Sequence, residues 1–110
     1  MKMIVAILRS EQLPAVKQAL FAAQIRKMTV MPVLGTAPNT EQQKFRGVAR
    51  EVSLFQRVRL ELTITDAMLE TAIEAISAGA KESGGWGRIF VLNLEEAVTI
   101  WTGERGERTL

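Results

Sequence analysis

The 110-residue chain contains no cysteine, no histidine and no tyrosine. Without cysteine it has no disulfide framework, no thiol nucleophile and no thiolate metal site. Without histidine it lacks imidazole acid–base chemistry, the Ser-His-Asp triad and most zinc sites. The lack of tyrosine excludes regulation through a modified tyrosine. Asp, Glu, Lys and Arg remain as candidate catalytic groups, but the composition favours a binding protein over an enzyme.

Long hydrophobic runs and a strong net charge are also missing. No apolar stretch approaches the length of a membrane span, and the first apolar run, residues 3–8, is too short for a signal peptide and has no small-residue cleavage site. The formal net charge is +2, without the dense basic stripe of a general nucleic-acid-binding protein. We therefore expect one cytoplasmic domain, residues 1–110, that neither inserts into a membrane nor binds nucleic acid.

Hydrophobic patterning predicts several strands. The apolar run 3–8 is typical of a buried strand, and residues 54–64 alternate between apolar and polar side chains, as in a half-buried strand. Pro32 lies within a second apolar segment and suggests an edge or a bulge there, and Gly35 is expected to end that strand. The other predicted strands are residues 28–34, 89–92 and a short element at 95–101.

The spacing of apolar residues predicts two helices, one after the strand at 3–8 and one after the strand at 54–64. Ser10 is expected to cap a helix that fades near Gln24, and Asp66 a second helix that ends near Gly79. The resulting order is strand–helix–strand, repeated once after a long polar segment. This is the double βαβ, ferredoxin-like plan of an α+β protein, in which two helices cover one face of an antiparallel sheet.

The other face of this sheet has no cover within the chain. Assembly of several copies with their sheets facing inward is the simplest solution. Arg57, Arg59 and Glu61 lie on the polar side of the third strand, so we expect them to form cross-strand or intersubunit ion pairs. Trp86 and Trp101 are expected to pack in the core or in such an interface, and stacking on a ligand is the alternative.

A polar segment of about residues 36–53 separates the two units. A loop of this length inside a small domain is commonly functional, although a simple hairpin extension would have a similar composition. Lys44, Arg46 and Arg50 give it a basic character suited to docking on an acidic protein surface. The alternative is a solvated loop without a partner.

The stretch Gly84–Val91, with the sequence GGWGRIFV, joins a glycine turn to a basic residue and then to a strand. Glycines allow backbone N–H groups to approach a phosphate closely, and Arg88 supplies charge and several donors. Taken alone, a glycine-rich turn beside a solvated arginine explains the same residues.

Taken together, these segments resemble the PII signal-transduction family of small trimeric regulators of nitrogen and carbon metabolism. The similarity extends nearly from end to end. It rests on the order and spacing of Met28-Thr29-Val30 before Gly35, Phe45-Arg46-Gly47, Arg57–Glu61, Gly85–Val91, Glu95–Val98 and Thr102–Gly106.

The resemblance implies a homotrimer with three clefts between subunits. In the family each cleft holds ATP or ADP, and the ATP form often holds 2-oxoglutarate with magnesium. The long segment corresponds to the T-loop, which reports the bound state to ammonium channels, enzymes or transcription factors. The residue at the position of the uridylylated tyrosine is about Arg50, so that switch is absent.

The resemblance assigns functional roles to residues of this sequence, position by position. Thr29 and Thr63 match the adenine contacts, and Arg88 matches the basic residue at the phosphates. The full nucleotide-binding set that the resemblance implies is Thr29, Gly35, Arg57, Thr63, Gly85, Gly87 and Arg88. The partner-binding set in the T-loop is Lys44, Phe45, Arg46, Gly47 and Arg50, with no catalytic or metal-binding residue.

Two departures from the family weaken the ligand assignment. The T-loop base is Gly35-Thr36-Ala37-Pro38-Asn39 and lacks the glutamine that helps to hold magnesium and 2-oxoglutarate. Thr99 and Trp101 replace two arginines that approach the phosphates, and each charge-assisted hydrogen bond contributes roughly 1.5–3 kcal/mol. Arg105 and Arg108 are the nearby candidates for substitutes.

Three functions remain open on this evidence. The first is a cytoplasmic regulator in which an adenine nucleotide sets the T-loop population and so the affinity for a partner. The second is a trimeric adaptor that has lost nucleotide sensing and answers another anion, such as bicarbonate, beside a transporter. The third is a small enzyme that hydrolyses ATP, for which no general base stands out.

Overall fold

The computed structural model describes residues 1–36 and 53–110, which form two strand–helix–strand units. The predicted order of the two units is confirmed. Their elements are β1 (Lys2–Leu8), α1 (Leu13–Ala22), β2 (Thr29–Thr36), β3 (Leu54–Ile64), α2 (Leu69–Lys81) and β4 (Arg88–Asn93).

The four strands form one sheet in the order β2-β3-β1-β4. Every neighbouring pair is antiparallel. β1 is therefore central, with β3 on one side and β4 on the other, and β2 is an edge strand of the single chain. Pro32 lies in this edge strand, as its missing N–H requires. The arrangement is the expected α+β, ferredoxin-like sheet with two helices.

The core lies between the helices and one face of the sheet. Alternate residues of β1 and β3 point to this face, as the period of two in their sequences predicts. In α1 and α2 the inward residues recur at helical spacing. The largest fully buried apolar side chains are Ile4, Leu8, Val16, Leu20, Leu60 and Ile76.

The two helices approach most closely where α2 has a glycine. A Cβ atom on Gly79 would lie 2.6 Å from the Cα of Val16 and 2.8 Å from the carbonyl oxygen of Ala15. Both are backbone atoms of α1, so a side chain at residue 79 would push the helices apart.

Helix starts differ from the predicted caps. Ser10–Gln12 and Asp66–Met68 form 3-10 turns, and α1 and α2 begin only after them. The Asp66 carboxylate accepts a hydrogen bond from the Met1 ammonium group at 3.0 Å and makes no side-chain cap. This bond, with the nearby charge of Lys2, holds the pKa of Asp66 below its usual value.

Helix ends also follow local hydrogen bonding. α1 ends close to the predicted residue, because Gln24 adopts a left-handed conformation with φ of 67° and Ile25 donates its N–H to the carbonyl of Leu20 at 2.9 Å. This pattern closes a helix C-terminus. α2 continues to Lys81, two residues beyond the predicted Gly79.

Two strand predictions were wrong. Gly35 does not end β2 but pairs with Phe55 inside it, because β3 is long enough to provide a partner up to Thr36. Residues 95–101 form no strand. Instead the segment turns back on itself, with the Thr99 N–H donating to the Glu104 carbonyl and an isolated bridge between Val98 and Arg105.

No helix in the described part of the chain is long and apolar enough to span a membrane.

Replacing Gly79 with alanine tests the helix contact. We expect Gly79→Ala to lower the free energy of unfolding by about 1–3 kcal/mol, although alanine favours a helix intrinsically, because the new methyl group meets backbone atoms. Chemical denaturation gives this value. Ala78→Ser adds one heavy atom at the neighbouring exposed position and should cost at most about 0.5 kcal/mol. Equal stability of Gly79→Ala and the wild type would contradict the tight crossing.

Candidate functional site

The residues assigned to nucleotide binding by resemblance separate into two groups in the single chain. Gly35, Arg57 and the turn 85–88 lie where β1 ends, since Leu8 pairs with Val58 and Ile7 with Arg88. Thr29 and Thr63 lie at the other end of the sheet, where β1 begins. We call the first group the arginine end and the second the threonine end.

The turn at the arginine end requires glycine for two different reasons. Gly84, Gly85 and Gly87 all have positive φ, a conformation that L side chains rarely adopt. Gly85 closes α2 by donating its N–H to the Ala80 carbonyl at 2.9 Å. At Gly87 a Cβ atom would also lie 2.5 Å from the Ile7 carbonyl oxygen, so this glycine allows β4 to start directly against β1.

A row of three side chains crosses the sheet beside this turn. Continuing the β1–β3 and β1–β4 registers past Leu8 places Arg9 opposite both Arg57 and Trp86. The guanidinium carbon of Arg57 lies 4.6 Å from the centroid of the Trp86 ring, and that of Arg9 lies 5.2 Å from it. Both distances are within the range of a cation–π interaction.

Arg57 has further contacts in this row. Its guanidinium carbon lies 5.4 Å from the centroid of the Phe55 ring, and its Nη1 donates to the carbonyl oxygen of Gln56 at 2.8 Å. Its Nε is buried and has no hydrogen-bond partner among the described residues. Within residues 1–36 and 53–110 of one chain Arg57 forms no ion pair, and aromatic rings are its neighbours in place of a carboxylate. An intersubunit ion pair of Arg57 stays a prediction.

The buried side chain of Gln12 fixes the start of this row. Its Oε1 accepts the N–H of Arg9 at 2.8 Å, and its Nε2 donates to the Ala80 carbonyl at 3.3 Å. Ala80 also accepts the N–H of Gly85. One amide thus connects the end of β1 to the glycine turn.

A cavity of about 510 Å³ opens at the arginine end. Apolar groups of Ile7, Trp86 and Phe90 form part of its wall, and Arg88 supplies a cation. The remaining lining residues are Thr36, Gly85 and Gly87. Open backbone and a guanidinium group make this cavity suitable for an anion with an apolar part.

The threonine end has its own cavity of about 390 Å³. Thr29 pairs with Glu61, and Thr63 is two residues farther along β3, so the two threonines are diagonal neighbours on the same face. Met3, Met28 and Lys27 also line this space. Along β1 the pairing partners of Thr63 and Arg88 are four residues apart, or about 13 Å. The two cavities share no lining residue.

The described residues leave the sheet face opposite the helices uncovered in the single chain. Phe90 and Leu92 of β4 are 48% and 49% exposed on it. Arg59 Nε and Glu61 Oε2 form an ion pair at 2.7 Å on the same face. This pair lies within one strand and not across two strands, because the two side chains share a face and reach each other directly. The predicted intersubunit pairing stays a prediction.

The C-terminal segment lies at the threonine end, since Glu107 and Leu110 line a cavity with Thr63. Arg105, one expected substitute for the missing arginines, bonds to Glu96 at 3.4 Å. Trp101 is 87% exposed, and thus has no core contact in the single chain. Within one chain, this segment lies away from the arginine end.

Several predicted residues lie outside the described part of the chain. They are the departure at Asn39 and the partner-binding set Lys44, Phe45, Arg46, Gly47 and Arg50. Their assignments stay predictions.

Comparison with known proteins gives the family. The model of the family "Nitrogen regulatory protein P-II" matches residues 1–104. The chain belongs to the P-II family. Nitrogen regulatory protein GlnK1 of Methanosarcina mazei is 36% identical over 114 residues, which cover 100% of this chain and 97% of that protein.

Other P-II relatives cover the chain to a similar extent. Nitrogen regulatory protein P-II of Rhodospirillum rubrum is 40% identical over 108 residues, 96% of each protein. P-II 1 of Methanothermobacter thermautotrophicus is 39% identical over 108 residues, 96% of this chain and 94% of that protein. The similarity therefore covers both ends of the sheet.

Sequence reasoning missed Arg9 and Gln12 and expected Trp86 to pack in a core or an interface. Neither Arg9 nor Gln12 matches a motif. The available signal for Arg9 was topological: in an antiparallel sheet with β1 in the centre, the residue that follows β1 lies opposite the residue two positions before β4.

Two glycine variants separate backbone strain from close approach. We expect Gly84→Ala to cost about 1–2 kcal/mol, because the residue has a positive φ but open space around it. Gly87→Ala should cost at least about 2 kcal/mol more, since its methyl group also meets the Ile7 carbonyl. Denaturant unfolding measures both. A Gly87→Ala variant as stable as Gly84→Ala would contradict the contact between β1 and β4.

Proposed function

We propose that this P-II protein is a signal-transduction regulator of nitrogen and carbon metabolism that acts in the cytoplasm. Its effector is an adenine nucleotide, ATP or ADP, held in clefts between the subunits of a homotrimer. The bound state sets the conformation of the segment of about residues 36–53, and this segment controls a transporter, a channel or a metabolic enzyme. No covalent step is required.

The observation that supports this proposal most strongly is the separation of the two sheet ends. The arginine end offers open backbone at Gly85 and Gly87 and a guanidinium group at Arg88, which suit phosphates. The threonine end offers hydroxyl groups beside apolar methionines, which suit a base. Because these ends form separate cavities in one chain, a nucleotide that uses both is best held between neighbouring chains.

The uncovered sheet face supports an assembly of chains. Phe90 and Leu92 leave about half of their surface exposed, and burial of apolar area is the main driving force for association. The Arg59–Glu61 ion pair on this face is already formed within one strand. A symmetric oligomer can therefore bury the apolar groups around this pair, whereas Arg57 and Arg88 on the same face need an acceptor from a ligand or from a neighbouring chain.

Ligand binding is coupled to the partner through the position of the segment of about residues 36–53. β2 ends at Thr36 and β3 begins at Leu54, and Thr36 lines the cavity of the arginine end. A ligand in this cavity thus contacts the base of the 37–52 connection. Differential contacts in the ligand-bound and free states shift the population of its conformations. Lys44, Arg46 and Arg50 would then dock on an acidic partner surface.

A second candidate function is a trimeric P-II adaptor that does not bind nucleotide and answers a small anion such as bicarbonate or regulates a transporter directly. It is favoured by the C-terminal segment, where Thr99 and Trp101 replace arginines and Arg105 is paired with Glu96. The two candidate functions differ in their effector, which is a nucleotide for the first and a small oxyanion for the second.

Isothermal titration calorimetry with ATP, ADP and AMP, with and without magnesium and 2-oxoglutarate, tests the nucleotide proposal. We expect micromolar binding of ATP or ADP that weakens by at least about tenfold in Arg88→Ala, because a charge-assisted hydrogen bond is lost. Lys17→Ala removes one exposed charge from α1 and should leave binding unchanged. No binding of any nucleotide by the folded wild type would reject the first function in favour of the second.

Light scattering coupled to size exclusion tests the assembly. The mass should be three times the 12.2 kDa of one chain. Replacing Phe90 with aspartate puts a charge on the uncovered apolar face and should shift the protein toward the monomer. A wild-type protein that remains monomeric at high concentration would contradict the intersubunit cleft.

A further inference from the structure

The stacked arginines at the end of β1 present an electrostatic problem. Arg9 and Arg57 are opposite one another across neighbouring strands, and like charges in such positions repel. Within residues 1–36 and 53–110 neither guanidinium group has a carboxylate within 4.0 Å. The described contacts therefore do not offset this repulsion by ion pairing.

The indole of Trp86 is the group that both arginines share. Its ring centroid lies 4.6 Å from one guanidinium carbon and 5.2 Å from the other. The negative potential of an indole face attracts a cation, more strongly where water is excluded. Trp86 is partly buried, and it follows directly from the Gly84–Gly85 turn, so the backbone that forms the cavity also sets the position of the ring.

The guanidinium groups at this end of the sheet can still donate hydrogen bonds to an anion. The part of the chain that the structure describes gives the buried Nε of Arg57 no acceptor, and a buried donor without a partner is unfavourable. Arg88, which pairs with Ile7, adds a third guanidinium group on the same sheet face. Arg9 and Arg57 thus meet at the ring of Trp86, and Arg88 lies on the same sheet face beside the glycine turn.

We propose that Trp86 is a positioning residue for an oxyanion: its ring holds Arg9 and Arg57 next to the Gly85–Arg88 turn, so that these arginines and Arg88 together bind one phosphate or carboxylate group of the effector. The inference rests on the proposed function for the identity of the nucleotide, but not for the anion chemistry. It also explains how the arginine end obtains charge without basic residues at 99 and 101.

We expect the aromatic ring of Trp86, and not the size of its side chain, to determine the affinity for the ligand. Trp86→Leu removes the ring and should weaken ATP or ADP binding by about tenfold, the loss expected for two cation–π contacts. Trp86→Phe retains a ring and should bind within about threefold of the wild type. Calorimetry on the full chain, with thermal unfolding of each variant, measures both effects.

A double-mutant cycle separates positioning from simple stabilisation of the fold. Trp86→Leu is combined with Arg57→Ala, and the same ligand is titrated. If Trp86 acts by holding Arg57, part of its effect disappears once Arg57 is absent, so the double variant binds more tightly than the product of the two single losses predicts. Strictly multiplicative losses would overturn the proposal, as would wild-type affinity in Trp86→Leu.

The ligand series distinguishes this inference from the proposed function. ATP, ADP, inorganic phosphate and sodium bicarbonate are titrated in parallel by calorimetry into the wild type, Trp86→Leu and Trp86→Phe. Nucleotide binding that is indifferent to Trp86→Leu would reject the positioning role only. Binding of phosphate or bicarbonate alone, lost in Trp86→Leu and restored in Trp86→Phe, would support the positioning role and reject nucleotide sensing. No binding of any of the four probes would overturn both.

Discussion

The central position of β1 is the constraint on which the rest of the structure depends. Its antiparallel pairing with β3 and β4 at once fixes which residues meet at each end of the sheet. Gly87 allows β4 to begin against the Ile7 carbonyl, and the Gln12 side chain connects the end of β1 to α2. The arginine end follows from that register, because continuing it places Arg9, just after β1, and Trp86, just before β4, in one row with Arg57 of β3.

The same register explains why a single chain is an incomplete binding site. Thr29 and Thr63 gather at one end of the sheet, and Arg57 and Arg88 at the other, with separate cavities. The C-terminal segment stays at the threonine end. A neighbouring copy that covers the exposed sheet face would bring one end of each type together, so assembly and ligand binding have a common structural origin.

The order of helices and strands could be predicted from the sequence because apolar residues recur with a clear period in β1, β3 and both helices. Features that depend on tertiary contacts could not be predicted in this way. Asp66 bonds to the N-terminal ammonium group instead of capping α2, and the segment 95–101 finds no strand partner. At the site, the Gly85–Arg88 motif was visible, but Arg9 belongs to no motif, and the stack on Trp86 depends on pairing between distant strands.

Complementation between two defective chains tests the shared cleft most directly. Arg88→Ala impairs the arginine end, and Thr29→Trp fills the threonine end. Each variant alone should show impaired nucleotide binding, measured by calorimetry. Refolded together in equal amounts, they should regain roughly a quarter of the sites, the fraction of clefts that random mixing supplies with two intact ends. A mixture that gains no sites, although mass analysis shows mixed trimers, would contradict a site built between subunits.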